Sequence, residues 1–402
     1  MFVKDAPGSL VAIHGSDQTG DWSHRAFVPH PLPERSPELT GATYRRVADA
    51  RAALAALDST ARQLPDPTLF RQPALRREAQ STSALEGTYA PLDRVLRADE
   101  DAPGDLELTE ILNYVRMAEH GYGWVEEGRP LNATLLMDLQ RILMAGTPLA
   151  PTSGAIRDIQ VVIGVREGAP MTAHAIHAAR FIPPPPGPTL ESGVRDLLSW
   201  MGSDLRRHID PVVSAAMAHY QFEALHPFRD GNGRLGRLLI VLHLLQNGVL
   251  HEPTLTVSRW FEARRADYYD RLLEVSTRGS WDPFISFFAA GLTDAAQETR
   301  RQMLALSEVR DALKESVRES PLRAESAVAL IDIAVARPSF TVRQVESDLN
   351  LSYGRANRLV SQLTEIGILE VLDPNAYKRR FIAPRVLDVL LDRTDPGSEA
   401  PT

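Results

Sequence analysis

The segment His226 to Arg237, reading His-Pro-Phe-Arg-Asp-Gly-Asn-Gly-Arg-Leu-Gly-Arg, constrains this chain more than any other. Beyond Arg234 the apolar residues Leu235, Leu238, Leu239, Val241 and Leu242 recur at the spacing of one buried helix face. The Gly231-Asn232-Gly233 loop is therefore predicted to open directly onto a helix N-terminus. Backbone N–H groups at a helix start favour anions. Gly231 and Gly233 let the backbone take positive φ and come close to a phosphate, where a Cβ would stand in the way. Arg234 and Arg237, three positions apart, share a face at that helix start and point at one anion. Taken singly, a histidine before proline is most often a cap or core residue, and Gly-Asn-Gly is most often a turn. Together, with a carboxylate at Asp230, they are the equipment of a phosphate-handling site. No Gly-Lys-Ser/Thr loop and no kinase motif set competes for a nucleotide.

The segment resembles the signature of the Fic family: His, any residue, Phe, any residue, Asp or Glu, Gly-Asn-Gly-Arg, two residues, Arg. Every fixed position matches. In that family the enzyme usually moves the AMP part of ATP onto a hydroxyl of a target protein. The resemblance implies His226 as general base and Asp230 as ligand of a Mg²⁺ on the phosphates. It implies Gly231, Asn232, Gly233 and Arg234 as the phosphate cradle, Arg237 as the holder of the γ-phosphate, and Phe228 as an apolar anchor. The partners implied are a protein bearing a Tyr, Ser or Thr hydroxyl and the chain itself. The chemistry agrees with the residues, because such hydroxyls are nearly fully protonated at neutral pH and must lose a proton as they attack phosphorus. A positioned histidine supplies about 10²–10⁴-fold in such a step.

At 402 residues the chain has room for two or three domains. It has no cysteine, which excludes disulfides and thiolate-held zinc and makes a reducing cytoplasm the expected compartment. The N-terminus lacks the apolar core of a signal peptide, and the longest apolar run, Leu238 to Leu245, is interrupted by His243 and too short for a bilayer, so no membrane is expected. A net charge of −8 argues against a general polyanion-binding surface, so any nucleic-acid contact would have to be a local patch.

The expected fold is mainly α, a Fic-type helical bundle with a β-hairpin flap, followed by a winged-helix domain. The expected divisions are 1–100 (an N-terminal region with an inhibitory helix), 101–295 (the catalytic core), 296–319 (a helical linker) and 320–402 (a winged helix-turn-helix). The first forty residues, rich in Pro and His, read as an extended, partly strand-like lead-in. The β-rich phrases Ile159 to Gly164 and Arg180 to Ile182 bracket a small-residue loop before four prolines, the pattern of a hairpin ending in a polyproline segment. In the resemblance this hairpin is the flap that aligns the target, with Gln160, Val161, Val162, Ile163 and Gly164 as its docking phrase. Gly154 and Arg157 fit the family's way of opening it. His174 and His177 lack a nearby third ligand and read as loop residues rather than metal ligands. Tyr269 and Leu272 match positions bordering the adenine, with ordinary aromatic packing as an equal alternative. Ser276 replaces an asparagine common in the family. Trp260, Trp281, Phe284, Phe287 and Phe288 read as core.

Thr82-Ser83-Ala84-Leu85-Glu86-Gly87 matches the family's inhibitory pattern, in which the glutamate pairs with the second motif arginine, here Arg237. Helical patterning from Pro73 to Leu85 puts Gly87 just past the helix, so Glu86 sits at a C-terminus where the dipole disfavours a carboxylate. The alternative, a capping box from Ser83 to Glu86 starting a new helix, is opposed by Gly87 and Tyr89-Ala90-Pro91. In some family members the same glutamate positions water for removal of AMP, and the sequence leaves this open.

Toward the C-terminus, Ser320-Pro321 reads as the start of a helix and Thr341 to Gln344 as a capping box. Ser352 is expected to cap a helix burying Ala356, Leu359, Val360 and Leu363, and two strands follow around Asp373-Pro374-Asn375. This resembles a winged helix-turn-helix. Tyr353, Arg355, Asn357 and Arg358 on the helix and Lys378, Arg379 and Arg380 on the wing are candidate DNA contacts, with a protein-interaction or homodimer module as the alternative. The sequence thus predicts a Mg²⁺-dependent protein adenylyltransferase using ATP and restrained by Glu86. A nucleotide-sensing, DNA-binding transcription regulator is the rival.

Overall fold

Gly8–Asp17 (β1) returns as Gly20–Pro29 (β2) in an antiparallel ladder running from Gly8 opposite Pro29 to Asp17 opposite Gly20. What the sequence marked only as an extended lead-in is a complete hairpin, and the reason lies far along the chain. Its Ile13 and Ala26 pack against Ile176, Ala179 and Ile182, flanked by Val11, Trp22 and Val162. The Phe27 N–H donates to the Ile182 carbonyl at 2.9 Å. Gly15 lies opposite Trp22, whose ring covers it.

The structure, a computed structural model, describes residues 2–3, 6–17, 20–64, 66–99, 102–169, 174–203, 208–322, 324–375 and 378–393. As expected, it is mainly α-helical. Helices α1 (Gly41–Gln63), α2 (Arg71–Leu85), α3 (Leu92–Arg97), α4 (Leu106–Glu126) and α5 (Ala133–Leu143) lead to a short hairpin. This hairpin consists of β3 (Ile163–Val165), α6 (Ala175–Ala178) and β4 (Ala179–Phe181). Then come α7 (Pro188–Gly202), α8 (Pro211–Leu225), α9 (Asn232–Gln246), α10 (Ser258–Glu262), α11 (Arg265–Arg278) and α12 (Trp281–Glu319). The chain closes with α13 (Glu325–Ala336), β5 (Phe340–Thr341), α14 (Val342–Asp348), α15 (Tyr353–Glu365), β6 (Glu370–Val371), β7 (Arg380–Ile382) and α16 (Pro384–Leu390). Among the described residues no helix is long and apolar enough to cross a membrane.

The chain divides into two compact units, each built from separated segments. The first comprises Met1–Ala55, Asn113–His251 and Val257–Asp294. Its centre is α8, buried on every side through Val212, Ala216, Met217, Tyr220 and Phe222, which is the signature of a core helix rather than a surface one. Asp210 starts it by accepting from the Val212 N–H at 2.8 Å, with Pro211 at the first helical position. Its neighbour α9 is buried from Asn232 to Leu244. The two approach closely because residue 236 is glycine: a Cβ there would stand 2.3 Å from Glu223 Oε1 and 3.1 Å from Phe222 Cδ1. Phe284 and Phe288 are buried as expected, whereas Trp260, Trp281 and Phe287 are only half-buried. The Trp260 indole needs a polar partner and finds Asp294 at 2.8 Å, while Arg264 lies 4.3 Å over its ring.

The second unit comprises Ala56–Leu112, Glu252–Thr256 and Ala295–Thr402. In it the buried α2 carries two inward arginines. Arg76 donates to the Val95 and Ala98 carbonyls at 2.7 and 3.2 Å, and Arg77 to the Leu390 carbonyl at 3.1 Å and the Asp392 carboxylate at 2.5 Å. The C-terminal strands form one antiparallel sheet in the order β5-β7-β6, with Phe381 between Phe340 and Val371. Both arms of the Thr341–Gln344 capping box form, and α15 buries Ala356, Leu359, Val360 and Leu363. One expectation is corrected. Ser320 does not begin the module's first helix but closes α12, its Oγ donating to the Val317 carbonyl at 2.7 Å, and α13 begins at Glu325. A hydroxyl at a helix end meets carbonyls that lack an intrahelical donor, and that local bond prevails.

Candidate active site

Helix α8 ends at His226, a non-glycine residue in the left-handed region (φ 49°, ψ 61°), whose N–H still donates to the Phe222 carbonyl at 2.9 Å. That turn throws the chain into the loop before α9. Phe228 is buried, the anchor the sequence implied. The loop is closed by Asn232, which accepts from the Phe228 N–H through Oδ1 and donates to the Phe228 carbonyl through Nδ2, each at 2.9 Å. Asn232 therefore shapes the cradle by holding its backbone, and both ends of its amide are engaged in doing so. Gly231 caps α9 at φ 82°, and a Cβ there would lie 2.7 Å from Leu143 and 2.9 Å from Met144, so only glycine lets α5 pack beneath the loop. From α5, the buried Gln140 donates to the Asp230 carbonyl at 3.3 Å and accepts from the Gly154 N–H at 2.5 Å. No motif or spacing in the sequence marks Gln140.

The first turn of α9 presents backbone N–H groups that no helix can satisfy internally. Arg234 and Arg237 lie beside it, almost wholly buried. The positive end of the α9 dipole favours an anion at this helix start. Asp230 stands at its mouth, its carboxylate about half exposed, accepting from the Gly231 N–H at 2.6 Å and 3.6 Å from Arg234. Among the described residues no three His, Cys, Asp or Glu gather to hold a metal. One outward carboxylate fits Mg²⁺, which keeps most of its waters and shares a substrate's phosphates.

Behind the arginines lies a group that sequence reasoning missed. His219 on α8 is buried, with Nδ1 3.1 Å from the Gly236 carbonyl and Nε2 2.6 Å from the Tyr268 hydroxyl. A carbonyl only accepts, so Nδ1 carries the proton and Nε2 accepts from Tyr268. Burial, with Arg237 nearby, pushes this imidazole down to about 3 even though the Gly236 bond opposes the shift. His219 is thus a neutral pin joining α8, α9 and α11 at working pH. Nothing in the sequence separates it from an ordinary core histidine.

On α11 the buried residue is Tyr268, while Tyr269 and Leu272 are half-buried and Arg265 lies 5.9 Å over the Tyr269 ring. Ser276 faces inward and bonds the Tyr220 hydroxyl at 3.0 Å. The β3–β4 ladder pairs Ile163 with Phe181 and Val165 with Ala179, so Gln160, Val161 and Val162 precede the paired strand. Gln160 donates to the Val161 and Pro183 carbonyls at 2.9 and 3.1 Å, Val162 is half-buried, and Gly164 and Val165 are exposed. His177 meets the His174 ring edge-on and the His24 ring of the N-terminal hairpin at a tilt, each at 5.5 Å between ring centroids.

Thr82 and Ser83 are fully buried on α2, and Glu86 is its exposed C-cap. The Thr88 N–H reaches the Ser83 carbonyl and the Gly87 N–H the Ala84 carbonyl, with Gly87 at φ 97°. This pair of bonds is a Schellman ending, so Glu86 closes a helix and does not start one. Toward the C-terminus Tyr353, Arg355 and Arg358 are exposed on α15, Asn357 is half-buried, and Lys378 and Arg379 are exposed before β7. Arg380 is otherwise engaged, bonded to Ser339 through Nε at 2.7 Å and 3.1 Å from Asp99.

Residues 44–123 match the Fic/DOC family N-terminal model, and residues 130–244 match the Fic/DOC family model. Protein adenylyltransferase fic-1 of Caenorhabditis elegans is 32% identical over 150 residues, which are 37% of this chain and 25% of that protein. Protein adenylyltransferase Fic of Aedes aegypti is 35% identical over 123 residues, 31% of this chain and 23% of that protein. The chain thus spans about a quarter of the length of the curated relatives it matches. A Fic family protein from Desulfovibrio desulfuricans G20 superposes with a TM-score of 0.53 at 24% identity over 87% of this chain and 98% of that one, which shows the fold. Residues 44–123 and 130–244 thus form the two segments of this chain that belong to the Fic/DOC family models.

Proposed function

We propose that the protein is an adenylyltransferase that moves AMP from ATP to a Tyr, Ser or Thr hydroxyl of a target protein or of itself, in a reducing cytoplasm. The observation that carries this reading is the continuous turn from His226 through Asp230 and Gly231 into the N-terminus of α9, backed by the buried Arg234 and Arg237. His226 takes the proton of the incoming hydroxyl as its oxygen bonds the α-phosphorus. The bond from that phosphorus to the bridging oxygen breaks, and pyrophosphate leaves. The α9 amides and Arg234 stabilise the charge spreading over the phosphoryl oxygens, and Arg237 holds the γ-phosphate. A Mg²⁺ on Asp230, when bound, would neutralise phosphate charge. Tyr269 and Leu272 would border the adenine, and Gln160 to Gly164 would present the target segment as an added strand. Glu86 is the brake on Arg237. Incubation with ATP labelled at its α-phosphate tests the reading: covalent label on protein is expected, and none in the Glu86→Gly chain would overturn it.

The second reading, a nucleotide-sensing DNA-binding regulator, draws on the exposed Tyr353, Arg355, Arg358, Lys378 and Arg379, a set that α15 and the strand approach present on one winged-helix-like module. Arg380 is left out because Ser339 and Asp99 engage it. If these cations meet phosphates, anisotropy of a labelled duplex with the full chain will show affinity falling steeply with salt. Arg355→Ala should then lower the slope of log K against log salt by about 1. A slope unchanged by this substitution removes Arg355 from the interface, and no shift at low salt leaves the module to protein contacts.

A further inference from the structure

The least expected group in the first unit is Arg157, a buried cation whose guanidinium bonds go to neutral carbonyls. Its Nε donates to the His226 carbonyl at 2.9 Å, one terminal nitrogen to the Ile159 carbonyl at 3.0 Å, and the other to the Pro184 carbonyl at 2.6 Å. Its own N–H donates to the Pro227 carbonyl at 2.9 Å. Ile159 stands at the foot where the chain enters the flap and Pro184 at the foot where it leaves. His226 and Pro227 are the left-handed turn that carries the candidate base. One guanidinium therefore ties both feet of the flap to the backbone of the base.

Stability alone does not explain such a residue. A buried cation held only by neutral carbonyls is costly, and burial lowers this guanidinium to about 10. It nevertheless stays charged at neutral pH. The position needs a planar group that donates in three directions at once, and among side chains only arginine does that. The turn it holds also needs holding, because His226 adopts a positive φ that a residue with a Cβ keeps only when its surroundings over-determine it. Two neighbouring contacts repeat the link. Asp158 pairs with Arg229 of the motif loop at 2.5 Å, and Gln160 bonds the Pro183 carbonyl across the feet at 3.1 Å.

We propose that Arg157 is a positioning residue that sets the target-bearing flap against His226, so that the bound hydroxyl and the imidazole meet in register. The inference rests on the adenylyltransferase reading. Its test uses the full chain in the Glu86→Gly background, with Arg157→Gln and Arg157→Lys compared for kcat, KM for the protein target and Kd for ATP. Misplacing a base by about 1 Å costs on the order of a hundredfold. We expect kcat per folded molecule to fall by about that factor in both variants while the ATP Kd stays within about threefold. Lysine is the informative control: it keeps the charge and loses the fork, so recovery of parental kcat by Arg157→Lys would overturn the proposal. Amide hydrogen exchange supplies a readout independent of activity. Residues 159–165 and 179–184 should exchange faster in both variants with α8 and α9 still protected, and unchanged flap exchange would equally overturn the proposal. If neither variant folds, Gln160→Leu removes the neighbouring staple and must lower kcat/KM for the target by about tenfold, an unchanged value counting against the proposal. A Glu86→Gly chain that labels nothing sinks the transfer reading, and the exchange arm still decides the positioning role.

Discussion

His226→Ala should lower transfer of labelled AMP by about 10²–10⁴-fold while ATP binding stays within a few-fold. The asymmetry follows from the geometry. In the proposed site anion binding belongs to the start of α9, to Gly231 and to the buried Arg234 and Arg237, while the imidazole acts on the incoming hydroxyl. The backbone of His226 is held by Phe222 and Arg157, so truncating its side chain leaves the αL turn in place. Alanine at positive φ adds modest strain, of about 1–2 kcal/mol, which a melting curve would register as a small loss of stability. Single-turnover labelling with excess ATP, beside calorimetry of ATP binding, separates the two effects. Labelling at the parental rate would remove His226 from the role of base. A parallel loss of ATP affinity would make it part of the cradle instead. Because His219 is held neutral down to about 3, it should contribute no limb to a rate profile measured near neutral pH.

Glu86→Gly should raise self-labelling by on the order of tenfold, since a restraint of about 1.4 kcal/mol holds the competent state to a tenth of its unrestrained weight. Glu86 closes α2 at the negative end of its dipole, where a carboxylate is disfavoured and a cation would relieve it. Its side chain is exposed, and exposed pairs are typically worth about 0.2–1 kcal/mol, so a gain nearer fivefold is the lower expectation. The Schellman ending tolerates the change, because Gly87 and not Glu86 takes the positive φ there. If the gain comes from releasing Arg237 to the γ-phosphate, then Glu86→Gly combined with Arg237→Ala must lose it, and that non-additivity is the decisive observation. Labelling at the parental level in the single variant, or full activity in the double one, would return Glu86 to the role of a helix end.

The features legible in the sequence were those whose causes are local. Glycines at 231 and 87, a loop opening onto an apolar helix, the capping box at Thr341 and the buried face of α15 each depend on residues within a turn or two. Where a local rule failed, another local group had won: Ser320 has the right chemistry for a helix start, but the last carbonyls of α12 were nearer. The N-terminal hairpin was only half legible because its inner face is completed by Ile176 and Ile182, far along the chain.

By itself the sequence determined the mainly helical class, the phosphate-handling motif and the family resemblance, because backbone conformation and motif spacing are short-range properties. Only the tertiary structure decided what the polar side chains do. It turned Asn232 inward onto Phe228, made His219 a neutral pin, drew Arg380 onto Ser339 and Asp99, and aimed Arg157 at three carbonyls. A buried polar group must find its partner wherever packing brings one, and for Arg157 that meant carbonyls up to 69 positions away. Periodicity reports which face of an element is buried, and it carries no record of what waits on the other side.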